Sequence, residues 1–223
     1  MIKVNNFQSI INISKCIYII FVVSVISIGT TGSYFSDTVT IDGNQFSTGT
    51  WSNIVINEVY YDTDARTFGN GNSFKTEEEG KNEWIELYNP NSFPINIKDW
   101  SITDNTYTKL VAPNIDIPAN GFALLSHDNS TWHFWGDPSG ADIEIINLTG
   151  NTDWLSNDGD KVVLKDSSGS IVDQMSYGDN TTVFSPACAD VGQGHSLERK
   201  TLGGTDTNTA ADFIKMTTPT PGS

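Results

Sequence analysis

The chain has 223 residues, which suits one domain of ordinary size or two small ones. It carries 12 Lys and Arg residues against 27 Asp and Glu residues, a formal net charge of −15, although only 17% of its residues are charged. Such a base-poor surface repels a phosphate backbone, so we expect no nucleic-acid partner. Its two cysteines, Cys16 and Cys188, are too few for a disulfide framework or a structural zinc site.

The N-terminus has the layout of an export signal. Lys3 and Lys15 precede an apolar run at residues 17–28, and small residues follow up to Ser33. The run is short for a membrane span, which needs about 20 residues. We therefore predict a cleavable hydrophobic leader helix within residues 1–33, with an uncleaved anchor as the alternative. A protein with this leader is secreted or associated with the cell surface, and it meets the membrane only through the leader before cleavage.

The segment after the leader, residues 30–51, reads TTGSYFSDTVTIDGNQFSTGTW. Residues 34–37, Asn44 and residues 46–50 resemble the start of the TasA and camelysin family of exported proteins, whose signal peptides are cut by a SipW-type signal peptidase. In TasA-like matrix proteins an N-terminal segment can add as a strand to a neighbouring subunit. Because an unpaired sheet edge can accept such a strand, the resemblance implies self-assembly into a fibre through residues 34–50 as an alternative function.

From residue 54 onward the sequence reads as short strands separated by turns. Residues 54–61 are rich in β-branched and aromatic residues, and residues 83–89 alternate apolar and polar positions, which predicts a half-buried strand. Further strands are predicted at residues 95–103, 121–126, 161–166, 170–177, 195–199 and 212–216. The sequence Asp166-Ser-Ser-Gly169 between two apolar runs predicts a hairpin. Short strands at this spacing favour an all-β antiparallel sandwich.

Seven sequence blocks occur in an order that resembles the lamin-tail domain family. They are INEV (56–59), EWIELYN (83–89), IKDWSITD (97–104), IPANGFALLS (117–126), LSNDGDKVVLKDSSGSIVDQMSYGD (155–179), GHSLER (194–199) and PTPGS (219–223). The resemblance implies an immunoglobulin-like antiparallel β-sandwich of the lamin-tail type over residues 54–223, preceded by an extended segment at 34–53. It also implies that Trp84 and Trp100 are packing residues. In exported prokaryotic proteins such domains usually act as interaction or tethering modules, so the expected partner is an extracellular protein or glycan.

The stretch from Asp62 to Asn82, longer than the family pattern requires, is rich in oxygen-bearing side chains. Asp62, Asp64, Glu77 and Glu79 supply the hard oxygen ligands that Ca²⁺ prefers in a flexible loop. Their spacing does not match an EF-hand, and a solvated loop is the alternative interpretation. These four residues are weak candidates for calcium binding, and no other cofactor is indicated.

The second long stretch, residues 127–154, contains an aromatic cluster. Trp132, Phe134 and Trp135 lie between Asn and Asp residues, and exposed rings in such a setting can stack on sugar faces. The alternative is that the loop folds back and caps the end of the sandwich, burying the rings. These three residues are weak candidates for ligand binding.

No motif in the sequence indicates catalysis. His127, His133 and His195 lie outside any nucleophile elbow or zinc-binding helix, and the resemblance favours a structural hydrogen bond for His195. Asp158 and Asp160 are interpreted as β-turn residues in a solvated loop rather than as a glycosidase pair. We therefore expect a non-enzymatic binding module, with a hydrolase of unrecognised site as a third hypothesis.

Overall fold

The computed structural model describes residues 53–63, 82–128, 131–148 and 154–223, together with the backbone of two strands at 38–41 and 44–47. The chain divides into two compact units, Met1–Trp51 and Ser52–Ser223. The predicted leader at residues 1–33 lies outside the described residues. The first unit contains an antiparallel hairpin of β1 (Thr38–Ile41) and β2 (Asn44–Ser47). Within the described ranges, no helix is long and apolar enough to cross a membrane.

The second unit is built from short strands. They are β3 (Val55–Tyr60), β4 (Trp84–Tyr88), β5 (Ile95–Asn96), β6 (Ser101–Thr103), β7 (Thr108–Leu110), β8 (Asp116–Ile117), β9 (Phe122–Ser126), β10 (Ile143–Asn147), β11 (Gly159–Lys165), β12 (Ile171–Gly178), β13 (Ser196–Arg199) and β14 (Phe213–Met216). A single-turn helix, α1 (Thr131–Phe134), follows β9, and a 3-10 turn (Ala210–Asp212) precedes β14.

Two main sheets form the sandwich. One has six strands in the order β10-β9-β4-β3-β13-β14, the other has four in the order β12-β11-β6-β7, and β5 and β8 form a small ribbon. The strands pair antiparallel in both sheets except for β9 and β10, which are parallel. The immunoglobulin-like antiparallel β-sandwich predicted from the sequence is confirmed, with this parallel pair as the exception. A parallel pair requires a long crossover, and the connection that carries α1 provides it.

The core lies between the two sheets. Ile56 and Val59 of β3, which lie on either side of a register shift, and Ile85 and Leu87 of β4 are fully buried in one hydrophobic cluster. The same cluster contains residues from the four-stranded sheet, namely Ile102, Val162, Leu164, Met175 and Tyr177. Burying each large apolar side chain stabilises the fold by about 1.5–3 kcal/mol, so this shared cluster holds the two sheets face to face.

The prediction that β4 is half-buried is wrong. Ile85 and Leu87 face the core as expected, but Trp84, Glu86 and Tyr88 on the opposite face are buried as well. Segments distant in sequence cover that outer face: α1 and its flanking residues lie over Trp84, and the C-terminal tail lies over Glu86. Alternation indicates which residues share a face, but it does not reveal what covers that face.

Two other boundaries differ from the sequence prediction. The single strand predicted at residues 95–103 is interrupted between β5 and β6, where Asp99 adopts a positive φ of 62°. The predicted loop at residues 127–154 contains α1 and the edge strand β10. The predicted hairpin between β11 and β12 is confirmed, and the Oδ1 atom of Asp166 accepts hydrogen bonds from the backbone N–H groups of Ser168 and Ser170.

Gly178, at the end of β12, occupies a position that excludes a side chain. Its φ is +61°, and an added Cβ would lie 2.1 Å from the carbonyl oxygen of Asp158. We expect Gly178→Ala to lower the free energy of unfolding by at least about 2 kcal/mol, because the β11–β12 backbone must move and the φ becomes strained. Urea unfolding would measure the loss.

Gly169 in the hairpin turn is the matched control for this substitution. Its φ is +85°, but a Cβ there would meet nothing within 4 Å. Gly169→Ala should therefore show the cost of a positive φ alone, about 1 kcal/mol. Equal losses for the two variants would mean that the contact with Asp158 contributes nothing.

Candidate ligand-binding site

The aromatic residues singled out in the sequence lie on the outer face of the six-stranded sheet. Trp132 is only 2% exposed and packs with Tyr60 and Trp84 in a separate hydrophobic cluster, its ring centroid 6.1 Å from that of Trp84. Trp135 is half-buried and meets Trp84 edge to face at 5.7 Å, and Phe134 is also half-buried. We call Trp132, Phe134 and Trp135 the aromatic cap. The aromatic cap covers a sheet face rather than an end of the sandwich. Trp132 is too buried to stack on a sugar.

A row of three glutamates crosses the same sheet face. Glu86 of β4 lies opposite Glu58 of β3, which lies opposite Glu198 of β13. Glu58 and Glu86 are fully buried, whereas Glu198 is half-buried. Three like charges in adjacent strands would repel one another, so the row requires hydrogen-bond donors or protons.

The C-terminal tail supplies hydrogen-bond donors to the glutamate row. The backbone N–H of Gly222 donates to Glu86 at 2.5 Å, and that of Thr220 donates to Glu58 at 3.2 Å. The side chain of Asn57 donates to Glu86 at 2.6 Å, and the hydroxyl of Ser196 donates to Glu58. These residues come from four separate blocks of the predicted family pattern, INEV, EWIELYN, GHSLER and PTPGS, which therefore meet at one place.

Burial dominates the proton affinity of this row. Burial raises the pKa of Glu58 to about 7 and that of Glu86 to about 8, although the hydrogen bonds that each carboxyl group accepts lower its value. Charge repulsion within the row raises them further. The tail covers the row, and its backbone N–H groups bond two of the three carboxyl groups.

A buried ion pair connects the two sheets. Arg199 of β13 lies 2.9 Å from the carboxylate of Asp173 on β12, and both side chains are almost fully buried. Asp173 also accepts a hydrogen bond of 2.7 Å from the backbone N–H of Ile56, and Arg199 donates to the carbonyl oxygen of Ile56 at 3.1 Å. Burial raises the pKa of Asp173 to about 6 against the opposing influence of Arg199. The pair thus joins β3, β12 and β13.

The sandwich opens in a cleft of about 400 Å³ where the β6–β7 turn meets the segment that precedes β11. Its lining combines aromatic, carboxylate and small polar side chains. The lining residues are Glu83, Thr106, Tyr107, Trp154, Leu155, Ser156, Asn157 and Asp160. Tyr107 is the exposed aromatic residue of this group, with 37% of its surface accessible.

Backbone hydrogen bonds hold the acids of the cleft in place. Asp160 accepts N–H bonds from Asn105 at 2.9 Å and Ser156 at 3.2 Å, and Glu83 accepts one from Leu155 at 3.1 Å. Burial raises the pKa of Asp160. The prediction of a solvated loop is wrong for Asp160, which is fully buried, although its bonds to the local backbone fit the turn interpretation.

Asp104 lies immediately behind the rim of the cleft. Its Oδ1 atom accepts N–H bonds of 2.5 Å from both Thr106 and Tyr107, which fixes the β6–β7 turn. Its Oδ2 atom is buried and has no hydrogen-bond partner among the described residues. The same holds for the indole Nε1 of Trp154, a residue that lines the cleft and is 3% exposed.

Lys109 places a positive charge beside Trp154 of the cleft. Its ammonium lies 5.2 Å from the centre of the Trp154 ring, a cation–π contact. Burial lowers the pKa of Lys109, while the charges of Asp104 and Glu83 act to raise it. Sequence reasoning missed Tyr107, Trp154 and Lys109, because they meet only in the folded chain and carry no motif.

The predicted calcium ligands fall mostly outside the described residues. Asp62 is half-buried beside β3, whereas Asp64, Glu77 and Glu79 are not described. Among the described residues, no group of three His, Cys, Asp or Glu side chains could hold a metal ion. Calcium binding stays a prediction, and calorimetry with millimolar calcium should detect heat together with a rise in melting temperature if it is correct.

Cys188 is buried beside β12. It is 3% exposed, and burial raises the pKa of its thiol to about 11. Because the thiolate is the reactive form, we expect Cys188 in the folded protein to resist an aromatic disulfide reagent at neutral pH. The absorbance of the released thiolate should rise only when urea unfolds the chain, and rapid labelling of the native protein would contradict this.

The two facing sheets, the covered outer face and the cleft define an immunoglobulin-like β-sandwich with room for a small ligand. The family model of the Lamin Tail Domain matches residues 47–179, and the chain belongs to this family. The family predicted from the sequence blocks is thereby confirmed, whereas the resemblance of the N-terminus to TasA-like proteins stays a prediction. Beyond the matched residues, β13 and β14 complete the six-stranded sheet. A search of curated proteins gave no match.

Proposed function

We propose that this protein is an exported, non-enzymatic binding module that works at the cell surface or in the extracellular matrix. The observation that carries the proposal is the cleft at the end of the sandwich. Glu83 and Asp160 in its lining are already fixed by backbone hydrogen bonds, so a ligand would bind without ordering them first. Preformed clefts that combine aromatic and polar groups are the usual ligand sites of proteins.

The contacts of His133 and His195 support the non-enzymatic part of the proposal. His133 lies 2.5 Å from Asp137 on the exposed surface, and the ring of His195 lies 3.3 Å from the carbonyl oxygen of Gly192. Neither contact includes a nucleophile. The family is built on a non-catalytic immunoglobulin-like domain, which favours binding over the hydrolase hypothesis.

Export is proposed from the leader, and it can be tested directly. Val23→Lys introduces a charge into the apolar run, whereas Val23→Leu keeps the run apolar and serves as the matched control. The wild type and Val23→Leu should appear outside the cell with a new N-terminus near Ser33, and Val23→Lys should stay inside. Intracellular wild-type protein with an intact N-terminus would overturn the proposal.

The alternative function is a fibre subunit assembled through residues 34–50. The hairpin of β1 and β2 is relevant here, because its two strands already pair with each other over residues 38–47. Strand donation to a neighbour would have to use an outer edge of this hairpin or separate its two strands. Light scattering of the mature protein and of a variant lacking residues 34–50 tests this alternative, since a monomer in both cases excludes it.

A further inference from the structure

We propose that the groove which holds the C-terminal tail is a peptide-binding site, and that it takes the tail of a second copy of the chain in place of its own. The tail is residues 217–223, and the surface beneath it is called the tail groove. Reciprocal exchange of the two tails joins two copies in a closed dimer. This interaction goes beyond the proposed function, because it uses neither the cleft nor residues 34–50.

The tail crosses the outer face of the six-stranded sheet from one edge to the other. It leaves the edge strand β14 after Met216 and passes Glu58 and Glu86, whose carboxylates it bonds. At Gly222 it comes against Ile143 of β10, the opposite edge strand. The tail groove therefore contacts the tail at several separate positions, as the binding site of an extended peptide does.

The tail groove recognises backbone N–H groups and small side chains. The N–H of Thr220 donates to Glu58 at 3.2 Å, and two residues later the N–H of Gly222 donates to Glu86 at 2.5 Å. Pro219 is buried, and a Cβ at position 222 would lie 2.9 Å from the Cδ1 atom of Ile143. The groove thus selects a segment with a proline, two correctly spaced donors and a glycine.

Charge favours the tail of another copy as the occupant. The chain carries a formal net charge of −15, so acidic segments of a second copy are repelled by the glutamate row. Residues 213–223, however, contain no Asp or Glu. The tail of a second copy brings hydrogen-bond donors to the row without adding a carboxylate side chain.

The attachment of the tail permits exchange. Thr217 and Thr218, which connect the tail to β14, are exposed, and Pro219 is the one buried residue of the tail. A segment with so little buried surface opens locally at a small cost in free energy. An open tail can return to its own groove or enter the identical groove of another copy, and a high protein concentration favours the second outcome.

Binding of a labelled peptide of residues 217–223 to the full mature chain tests the inference. An open-groove variant combines Thr220→Pro with Gly222→Val, so its tail loses one donor and gains a side chain against Ile143. We expect this variant to bind the peptide at least about tenfold more tightly than the wild type, whose own tail competes at a high effective concentration. Fluorescence anisotropy measures both affinities.

Two altered peptides test how the groove recognises its ligand. Thr220→Pro in the peptide removes the donor to Glu58 and should weaken binding by at least about tenfold. Thr218→Pro makes the same change at an exposed residue and should bind within about twofold of the unaltered peptide. The inference is overturned if the unaltered peptide binds neither protein, or if the two altered peptides bind equally well.

Sedimentation velocity tests the exchange between copies. The wild type should change from monomer to dimer as its concentration rises towards the millimolar range, and excess unlabelled peptide should restore the monomer. The open-groove variant should stay monomeric, whereas a variant lacking residues 34–50 should dimerise as the wild type does. A wild type that stays monomeric throughout, or a dimer that persists in the open-groove variant, overturns the inference. If circular dichroism shows that the open-groove variant is unfolded, the wild-type dimer and its dissociation by the peptide decide the question.

Discussion

Glu86→Gln is expected to flatten the dependence of stability on pH and to make the protein more stable than the wild type at pH 8. Burial raises the pKa of Glu86 from its ordinary value of 4.5 to about 8, so the folded chain keeps a proton there that the unfolded chain has released. The stability from this proton is fully present below pH 4.5 and is lost as the pH rises through about 8. A glutamine has no proton to lose, so its contribution does not change over this range.

The difference between the two proteins isolates this effect from the other carboxylates. Urea unfolding at a series of pH values should show the wild type losing a few kcal/mol relative to Glu86→Gln, since each pKa unit corresponds to about 1.4 kcal/mol. The amide of glutamine can still accept the N–H of Gly222. Asn57 now points its NH₂ group at this carboxylate, so its amide must turn over to present its Oδ1 atom to the NH₂ group of the glutamine. That Oδ1 atom has no hydrogen-bond partner in the wild type among the described residues.

Glu198→Gln is the matched control, because Glu198 belongs to the same row but is only half-buried. Burial also raises its pKa, so this variant should remove a smaller part of the pH dependence. Equal effects of the two substitutions would show that general surface repulsion, and not burial under the tail, governs the profile. A wild type that gains stability on going from pH 5 to pH 8 relative to Glu86→Gln would contradict the raised pKa itself.

The strands were predictable from the sequence because their signal is local. Alternation at residues 83–89 and β-branched runs such as 54–61 reflect the pleat of a strand, and turn residues such as Asp166 mark where it ends. The short strands β7 and β8 escaped prediction because two or three residues carry too little pattern. The strand β10 escaped because its apolar run lies in a stretch that resembles a long polar loop.

The candidate site was harder to predict from the sequence than the fold was. Tyr107 and Trp154 line one cleft although 47 positions separate them in the chain, and no local pattern reports such a meeting. The buried glutamates show the same limit. Glu86 occupies a polar position in the alternation of its strand, so the sequence assigns it to solvent, whereas in the fold Asn57 and Gly222 of the tail both contact its carboxylate. The ordered family blocks did carry this information, since they contain the residues that meet around the glutamate row.

Arg199→Met is expected to cause the largest loss of stability among the substitutions considered, about 3–5 kcal/mol in urea unfolding. The substitution preserves much of the side-chain volume but removes the charge that faces Asp173 at 2.9 Å. The carboxylate of Asp173 would then be buried with the N–H of Ile56 as a remaining donor, and the carbonyl oxygen of Ile56 would lose its bond from Arg199. The cost arises from a charge and an acceptor left in the core.

The double variant Arg199→Met with Asp173→Asn separates this cause from simple loss of packing. It removes the uncompensated charge, so it should regain at least about 1 kcal/mol relative to Arg199→Met alone, a coupling expected for residues in direct contact. Lys200→Met, at the exposed neighbouring position, is the control and should change stability by no more than about 0.5 kcal/mol. If the double variant is no more stable than Arg199→Met, the uncompensated charge of Asp173 is not the cause of the loss. The loss then comes from the other contacts of Arg199, with the carbonyl oxygen of Ile56 at 3.1 Å, the carboxylate of Asp206 at 3.4 Å and the Phe213 ring at 4.8 Å.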